Sequence, residues 1–379
     1  MTWSTSFFHK LLSALATLLI LAGCAGQSQV LKPPQPVDKA GYRVAVLPIE
    51  NLSGGKAPLK ELRKTLEEKV ESAGFEVLGE GALDQFMARH RIRHVGGVDE
   101  ESAKLFAEEE GVKGVLVSSL EFYADSYPPK LVMTSRLVST GTDPHILWMD
   151  SLALSGNDSP GLFETGTVRD AGKLSQQGLQ QLAVSLASAR EAGFRLDPAK
   201  MPQKSFPPRQ FFRQGLSPDK RFRVVILPFY NRSGRKYAGE IMALHFLKEL
   251  QQLGNFQVVE PGMVRNKLLQ YRLIMEGGMS NANADVIFDV LQANVVVTGK
   301  VLEYQDARGE AGIPVVEFSA SMLDKASHMT VLATDSYNTG EERVHFFNIG
   351  RISTASCLAG EMIRGIVDRL RQPAVLVNH

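Results

Sequence analysis

Few residues in this chain combine a reactive type with a useful spacing. Cys24 stands directly after Ala22-Gly23 and an apolar run, and Cys357 is the only other thiol. His90 and His94 are four apart, as two ligands on one helix face would be, but no adjacent cysteine or carboxylate completes a metal set. Arg89, Arg91 and Arg93 lie among them and make a basic surface that could meet an acidic partner, lipid phosphates or wall polymer. A solvated face competes with that reading and is preferred. Two loops, Ser53-Gly54-Gly55-Lys56 and Ser233-Gly234-Arg235-Lys236, carry the glycine and cation of an anion-binding turn before a helix. A helix-opening turn with solvated cations is again the preferred alternative. Asn51 and Asn231 begin these loops, with oxygens suited to turns and to capping the next helix, and are candidate surface contacts. Glu121 and Glu303 recur in similar strands, which points to architecture rather than acid catalysis. The chain has no G-x-x-x-x-G-K-[ST], H-E-x-x-H, C-x-x-C or G-x-S-x-G. It reads as a non-enzyme that uses neither metal nor cofactor.

The segment that positions Cys24 is the amino terminus. Residues 11–22, LLSALATLLILA, are a continuous apolar run. As a helix they rise about 18 Å against roughly 30 Å of hydrocarbon, too little to span a bilayer and right for the apolar region of a signal peptide. The run ends in Leu21-Ala22-Gly23-Cys24, which resembles the lipobox of bacterial lipoproteins. That resemblance implies cleavage before Cys24 and acylation of its thiol and amine, giving a stable anchor. Ala25 occupies the place where an Asp favours inner-membrane retention in enterobacterial lipoproteins, so it points to the outer membrane and the periplasmic face; inner-membrane anchoring stays open. Residues 24–41, rich in Pro and Gln, read as a tether of at most about 60 Å.

Composition excludes several classes. Loss of residues 1–23 removes Lys10 and no acid, bringing the formal charge from +1 to zero. A neutral body is not the footprint of a nucleic-acid binder. Hydrophobic residues make up 44%, enough for real cores. One thiol in the mature body rules out an internal disulfide, and Cys357, on a helix stripe of small and apolar residues, reads as a small buried hydrophobe.

The body reads as one α/β module used twice. Val44 to Gly54 aligns without gaps to Val224 to Gly234, and matches continue through Gly96-Gly97 with Gly277-Gly278, Leu120-Glu121-Phe122 with Leu302-Glu303-Tyr304, and Asp150-Ser151 with Asp335-Ser336. Each copy predicts β-α-β-α-α-β-β-β-α. Buried strands at 43–49 and 223–229 end at Pro48 and Pro228, because proline cannot donate to a ladder. Helices over 57–73 and 237–253 stop at Gly74 and Gly254. Short strands follow at 75–78 and 256–259, then helices at 81–92, 99–110, 262–273 and 281–292. Long strands at 114–123 and 295–304 lead into hairpins at 131–139 with 146–154 and 315–323 with 329–337, and a last helix closes each copy. The expected divisions are a signal peptide over 1–23, the tether over 24–41, modules over 42–195 and 221–373, a Pro-rich linker over 196–220 and a tail over 374–379. Phe206, Phe211 and Phe212 suggest that the linker packs on a domain.

The opening V-x-V/I-L-P-φ-x-N-x-S-G (φ apolar), the helix ending in Gly, and the V-V-V-x-G-x-V-L-E-Y strand resemble the superfamily of the curli secretion channel CsgG, the amino-terminal domain of TolB and the synthase activator LpoB. The resemblance implies small mixed sheets packed by helices in an envelope lipoprotein whose partners are envelope or secretion proteins, with homo-oligomers among the options. The leading expectation is a lipid-anchored, non-enzymatic binding or assembly module. The alternatives are a CsgG-like secretion channel, for which Trp148 and Met149 are the lipid-facing candidates, and an LpoB-like activator of a cell-wall synthase, which the short tether disfavours. An ordinary sheet hairpin is preferred over the channel because Arg136 and Asp150 interrupt the strands.

Overall fold

The structure is a computed structural model and describes residues 41–158, 167–194, 206–214, 216, 220–273, 279–306, 309, 312–341 and 352–371. The signal peptide, Cys24, nearly all of the tether, much of the linker, Gly277-Gly278 and the tail lie outside the described residues. The described residues all fall in one compact unit.

The first half runs β1 (Arg43–Val46), β2 (Glu50–Asn51), α1 (Leu59–Ser72), β3 (Glu76–Val77), α2 (Glu80–Arg89), α3 (Glu100–Glu110), β4 (Gly114–Ala124), β5 (Lys130–Ser139), β6 (Ile146–Ser155) and α4 (Ala171–Glu191). The second half runs β7 (Gln210–Arg213), β8 (Phe222–Ile226), β9 (Tyr230–Asn231), α5 (Ala238–Gln251), β10 (Phe256–Val258), α6 (Pro261–Gln270), α7 (Asn281–Val290), β11 (Val295–Gln305), β12 (Val315–Asp324), β13 (Thr330–Thr339) and α8 (Ala355–Arg371). The α/β class expected from sequence is what folds, as two mixed sheets with helices. The first sheet has the order β3-β1-β4-β5-β6 and the second β10-β8-β11-β12-β13-β7. In both, the short opening strands pair in parallel and the three long strands are antiparallel.

Local chemistry explains the boundaries. Val44, Ala45 and Val46 are fully buried because β1 lies between two strands with helices over both faces. Gly74 ends the turn after α1 at φ 88°, a conformation that a side chain would strain. Asp99 caps α3 by accepting from the Ser102 amide at 2.8 Å. β7 was not expected from sequence: linker residues 210–213 pair antiparallel with β13. Phe206 is buried in the second core, whereas Phe212 is 47% exposed.

One face of the first sheet packs against α1 and α4 through Leu62, Leu66, Val70, Leu179 and Leu182. The other face, at the β1 end, packs against α2 and α3 through Leu83, Phe86 and Phe106. The second sheet has the same two layers, α5 with α8 on one face and α6 with α7 on the other. Trp148 is buried in the first core and Met149 packs against the second, so neither forms part of a lipid-facing band.

The registers correct two of the sequence matches. Val44 pairs with Gly114, and Val224 with Val295; Leu120 and Val301 precede matching irregularities. Glu121 therefore shares its position with Leu302, and Glu303 falls one place later. Ser119 and Thr134 face Ser151, as Lys300 and Ser319 face Asp335, so Ser151 shares its position with Asp335, and Asp150 with Thr334.

Candidate functional site

The burial of two strands locates the site. Nine of the ten residues of β5 are buried, whereas β12 alternates between buried and half-buried positions. A strand covered on one face alternates and a strand covered on both does not. The second half of the chain provides the extra cover on β5, so the junction between the halves is itself the structured feature.

Arg136, on β5, is fully buried. Its Nε donates to Glu260 Oε2 at 2.8 Å, and its Nη2 donates to Glu260 Oε1 at 2.7 Å and to the Gly96 carbonyl at 2.8 Å. Glu260 caps α6 and also accepts from the Val98 amide at 3.2 Å. Burial opposes the charge on Arg136, but the Glu260 carboxylate outweighs it and raises the guanidinium pKa. Gly97 and Gly262 touch backbone to backbone beside this pair: a Cβ on Gly97 would stand 2.6 Å from the Gly262 Cα.

A second buried cluster lies further along the same face. Glu121 accepts from Thr134 Oγ1 and from Ser356 Oγ at 2.6 Å, and His245 Nε2 stands 3.3 Å from Glu121 and 3.0 Å from Ser356 Oγ. Burial would push the Glu121 carboxyl up, but the imidazole and the two hydroxyls outweigh it and hold it below the ordinary value. Serine, histidine and glutamate thus meet, but not as a nucleophilic triad. The serine proton goes to the carboxylate, and serine and carboxylate share one imidazole nitrogen. All three groups are sealed from solvent. Gln251 to the Ile146 carbonyl at 2.9 Å, Lys130 to the Ser353 carbonyl at 2.9 Å and Lys248 to Asp150 at 3.3 Å complete the contact.

Among the described residues, the second sheet leaves the corresponding face open. Thr298 and Lys300 of β11, Ser319 and Ser321 of β12, Ala333 and Asp335 of β13 and Phe212 of β7 line a hollow of about 460 Å³. Ser321 takes the place of Arg136, and Leu302, 43% exposed, that of Glu121.

The residues singled out in the sequence have other fates. Asn51 closes its own loop: its Oδ1 accepts from the Ser53 amide and hydroxyl, and its Nδ2 donates to the Gly55 carbonyl. Asn231 does the same with Ser233 and Arg235. Arg235 is committed to Asp306 and to the carbonyls of Leu52, Lys236 and Glu121, so the second loop offers no guanidinium to an anion. Arg89 and His90 share Glu109, at 2.8 and 3.0 Å. α2 ends at Arg89, so His90 and His94 do not share a helix face, and no metal-binding cluster occurs among the described residues. Arg91 and Arg93 are exposed along a groove of about 770 Å³ at the junction. Cys357 is half-buried, and burial pushes its thiol up to about 11, which makes it a poor nucleophile.

Sequence reading missed His245, Glu260 and Ser356. The signal was in α5: eleven of its fourteen residues are buried, against four of fourteen in α1. A helix buried nearly all round has a second covering layer.

No family model and no curated protein matches the chain. Among solved structures it is similar to the PelC dodecamer from Paraburkholderia phytofirmans, with 15% identity and a TM-score of 0.31 over 43% of this chain and 96% of that one. It is similar to lipoprotein GNA1162 from Neisseria meningitidis, with 18% identity and a TM-score of 0.29 over 38% and 99%. The LpoB carboxy-terminal domain from Escherichia coli aligns with 14% identity and a TM-score of 0.22 over 31% and 82%. Likenesses this weak leave the function to the chain's own residues.

Proposed function

We propose that the chain is an envelope lipoprotein, acylated at Cys24 and held to the outer membrane with its body in the periplasm. Its tandem-duplicated body acts there as a non-enzymatic docking module for an envelope or secretion assembly. One observation carries the docking role: equivalent faces of the two sheets differ, the first covered by α5, the start of α8 and the residues around Glu260, the second open. A face of this fold that accepts a helical layer within the chain is suited to accept one from a partner. The partner is therefore a protein that presents helices to the β11-β12-β13 face. Small side chains there, Ser319, Ser321 and Ala333, allow close approach, while Lys300 and Asp335 supply polar contacts.

A photocrosslinking residue placed at Ser321 in intact cells tests this. A discrete adduct with one envelope protein is expected, absent when the same residue replaces Lys64 on the outer side of α1. No discrete adduct at Ser321 would sink the docking role.

A further inference from the structure

We propose that the junction between the two halves holds a binding site for a single-chain amphiphile with an anionic head, a fatty acid or a lysophospholipid. This site is separate from the open sheet face. A cleft of about 300 Å³ lies between the halves, with apolar walls that include Leu52, Ile226, Ala243, Leu244 and Leu268. That size and lining suit a small apolar ligand. The junction is rigid because Gly97 and Gly262 touch and Arg136 is bidentate on Glu260.

The head-group assignment follows from the mouth. His94 and Arg265 line both the cleft and the adjoining groove of about 770 Å³, where Arg91 and Arg93 are exposed. These three arginines make no ion pair among the described residues. Four carboxylates line the same spaces, Glu50 and Glu240 in the cleft and Asp99 and Glu101 in the groove. Glu50 accepts from Ser119 at 2.7 Å and lies in the field of Arg136, and Asp99 caps α3. Glu240 sits in the first turn of α5, where a helix favours a negative charge, and Glu101 likewise in the first turn of α3. Burial, then Arg265, lowers the pKa of His94, which leaves the arginines as the cations at the mouth. Leu269 is 60% exposed along the same groove and extends the apolar track outward.

The test uses the compact body, residues 40–379, purified without detergent and stripped of lipid. Palmitate and a palmitoyl lysophosphatidylglycerol are titrated separately, with hexadecanol as the neutral comparison. Saturable binding of at least one anionic probe at one per chain is expected, and the probe that binds identifies the source of the head group. Arg265→Glu, an exposed change, should weaken anionic binding at least tenfold and leave hexadecanol unaffected. Ala243→Trp should abolish binding without lowering the melting temperature. Ser321→Arg should leave binding intact, which separates this site from the docking face. Absence of saturable binding by both anionic probes overturns the proposal, as does binding that survives both Arg265→Glu and a folded Ala243→Trp.

Discussion

The two sheets share a strand order and differ in what they can hold. In the first, a face covered by the second half contains a buried arginine and a buried glutamate, each matched by partners from far along the chain. In the second, the same positions are Ser321 and Leu302, on a face open to solvent. Cover creates both the need for pairing and the low-dielectric setting in which pairing matters. A polar residue on the open face needs no such match, because water satisfies it.

The sharpest way to break this comparison is to remove one member of the buried pair. Glu260→Ala leaves the Arg136 charge buried and unpaired, and should cost about 3–5 kcal/mol by urea unfolding. Ser321→Ala, at the equivalent position of the open face, should stay within about 0.5 kcal/mol. Equal losses at both positions would show that cover is not the deciding factor.

Next in size is the glycine contact. Gly262→Ala places a methyl group against the backbone of Gly97 and Val98, and overpacking of this kind costs about 1–3 kcal/mol. The measured unfolding midpoint should fall, whereas Gly234→Ala, with open space around it, should move it little.

Acid titration probes the covered face. Glu121 has its carboxyl pKa held below the ordinary 4.5 in the folded chain. A depressed folded pKa contributes stability that is fully present above the unfolded value and is lost as pH falls through the folded one. Glu121→Gln should therefore flatten the decline in stability below about pH 4.5, measured by urea midpoints across the acid range. The smallest effect on stability is expected for Lys300→Glu, which should leave unfolding nearly untouched yet weaken the Ser321 crosslink.

Much of the fold was legible because periodicity and turn chemistry act locally. The strand at Val44–Val46, the helix ending before Gly74 and the Asp99 cap follow from residues a few places apart. The hairpins were read almost to the residue. The strand at Gln210–Arg213 was hidden in a Pro-rich stretch because its partner is β13, more than a hundred residues away. The match of Glu121 to Glu303 failed by one place because similar letters surround an irregularity in the strand, and only the hydrogen-bond register fixes which residue faces which side. Arg136 looked like a reason to doubt a membrane strand, but its real partner, Glu260, was not visible from sequence. Asn51 and Asn231 form turns as their residue type implies, but they cap no helix: α1 and α5 follow Pro58 and Tyr237 with no side-chain cap.

The junction is also a contact between unlike surfaces, a sheet face against a helical layer. Contacts of that kind repeat from copy to copy unless the ends differ. Here they differ. Leu62, Leu66 and Val70 of α1 hold the core places that Met242, Phe246 and Leu250 hold in α5. On that register Lys64 and Glu67 stand where α5 presents Leu244 and Leu247 to the junction. A second chain that tried to extend the row would meet charged side chains instead of leucines. The helical end of the molecule therefore differs in chemistry from the α5 face that meets the first sheet.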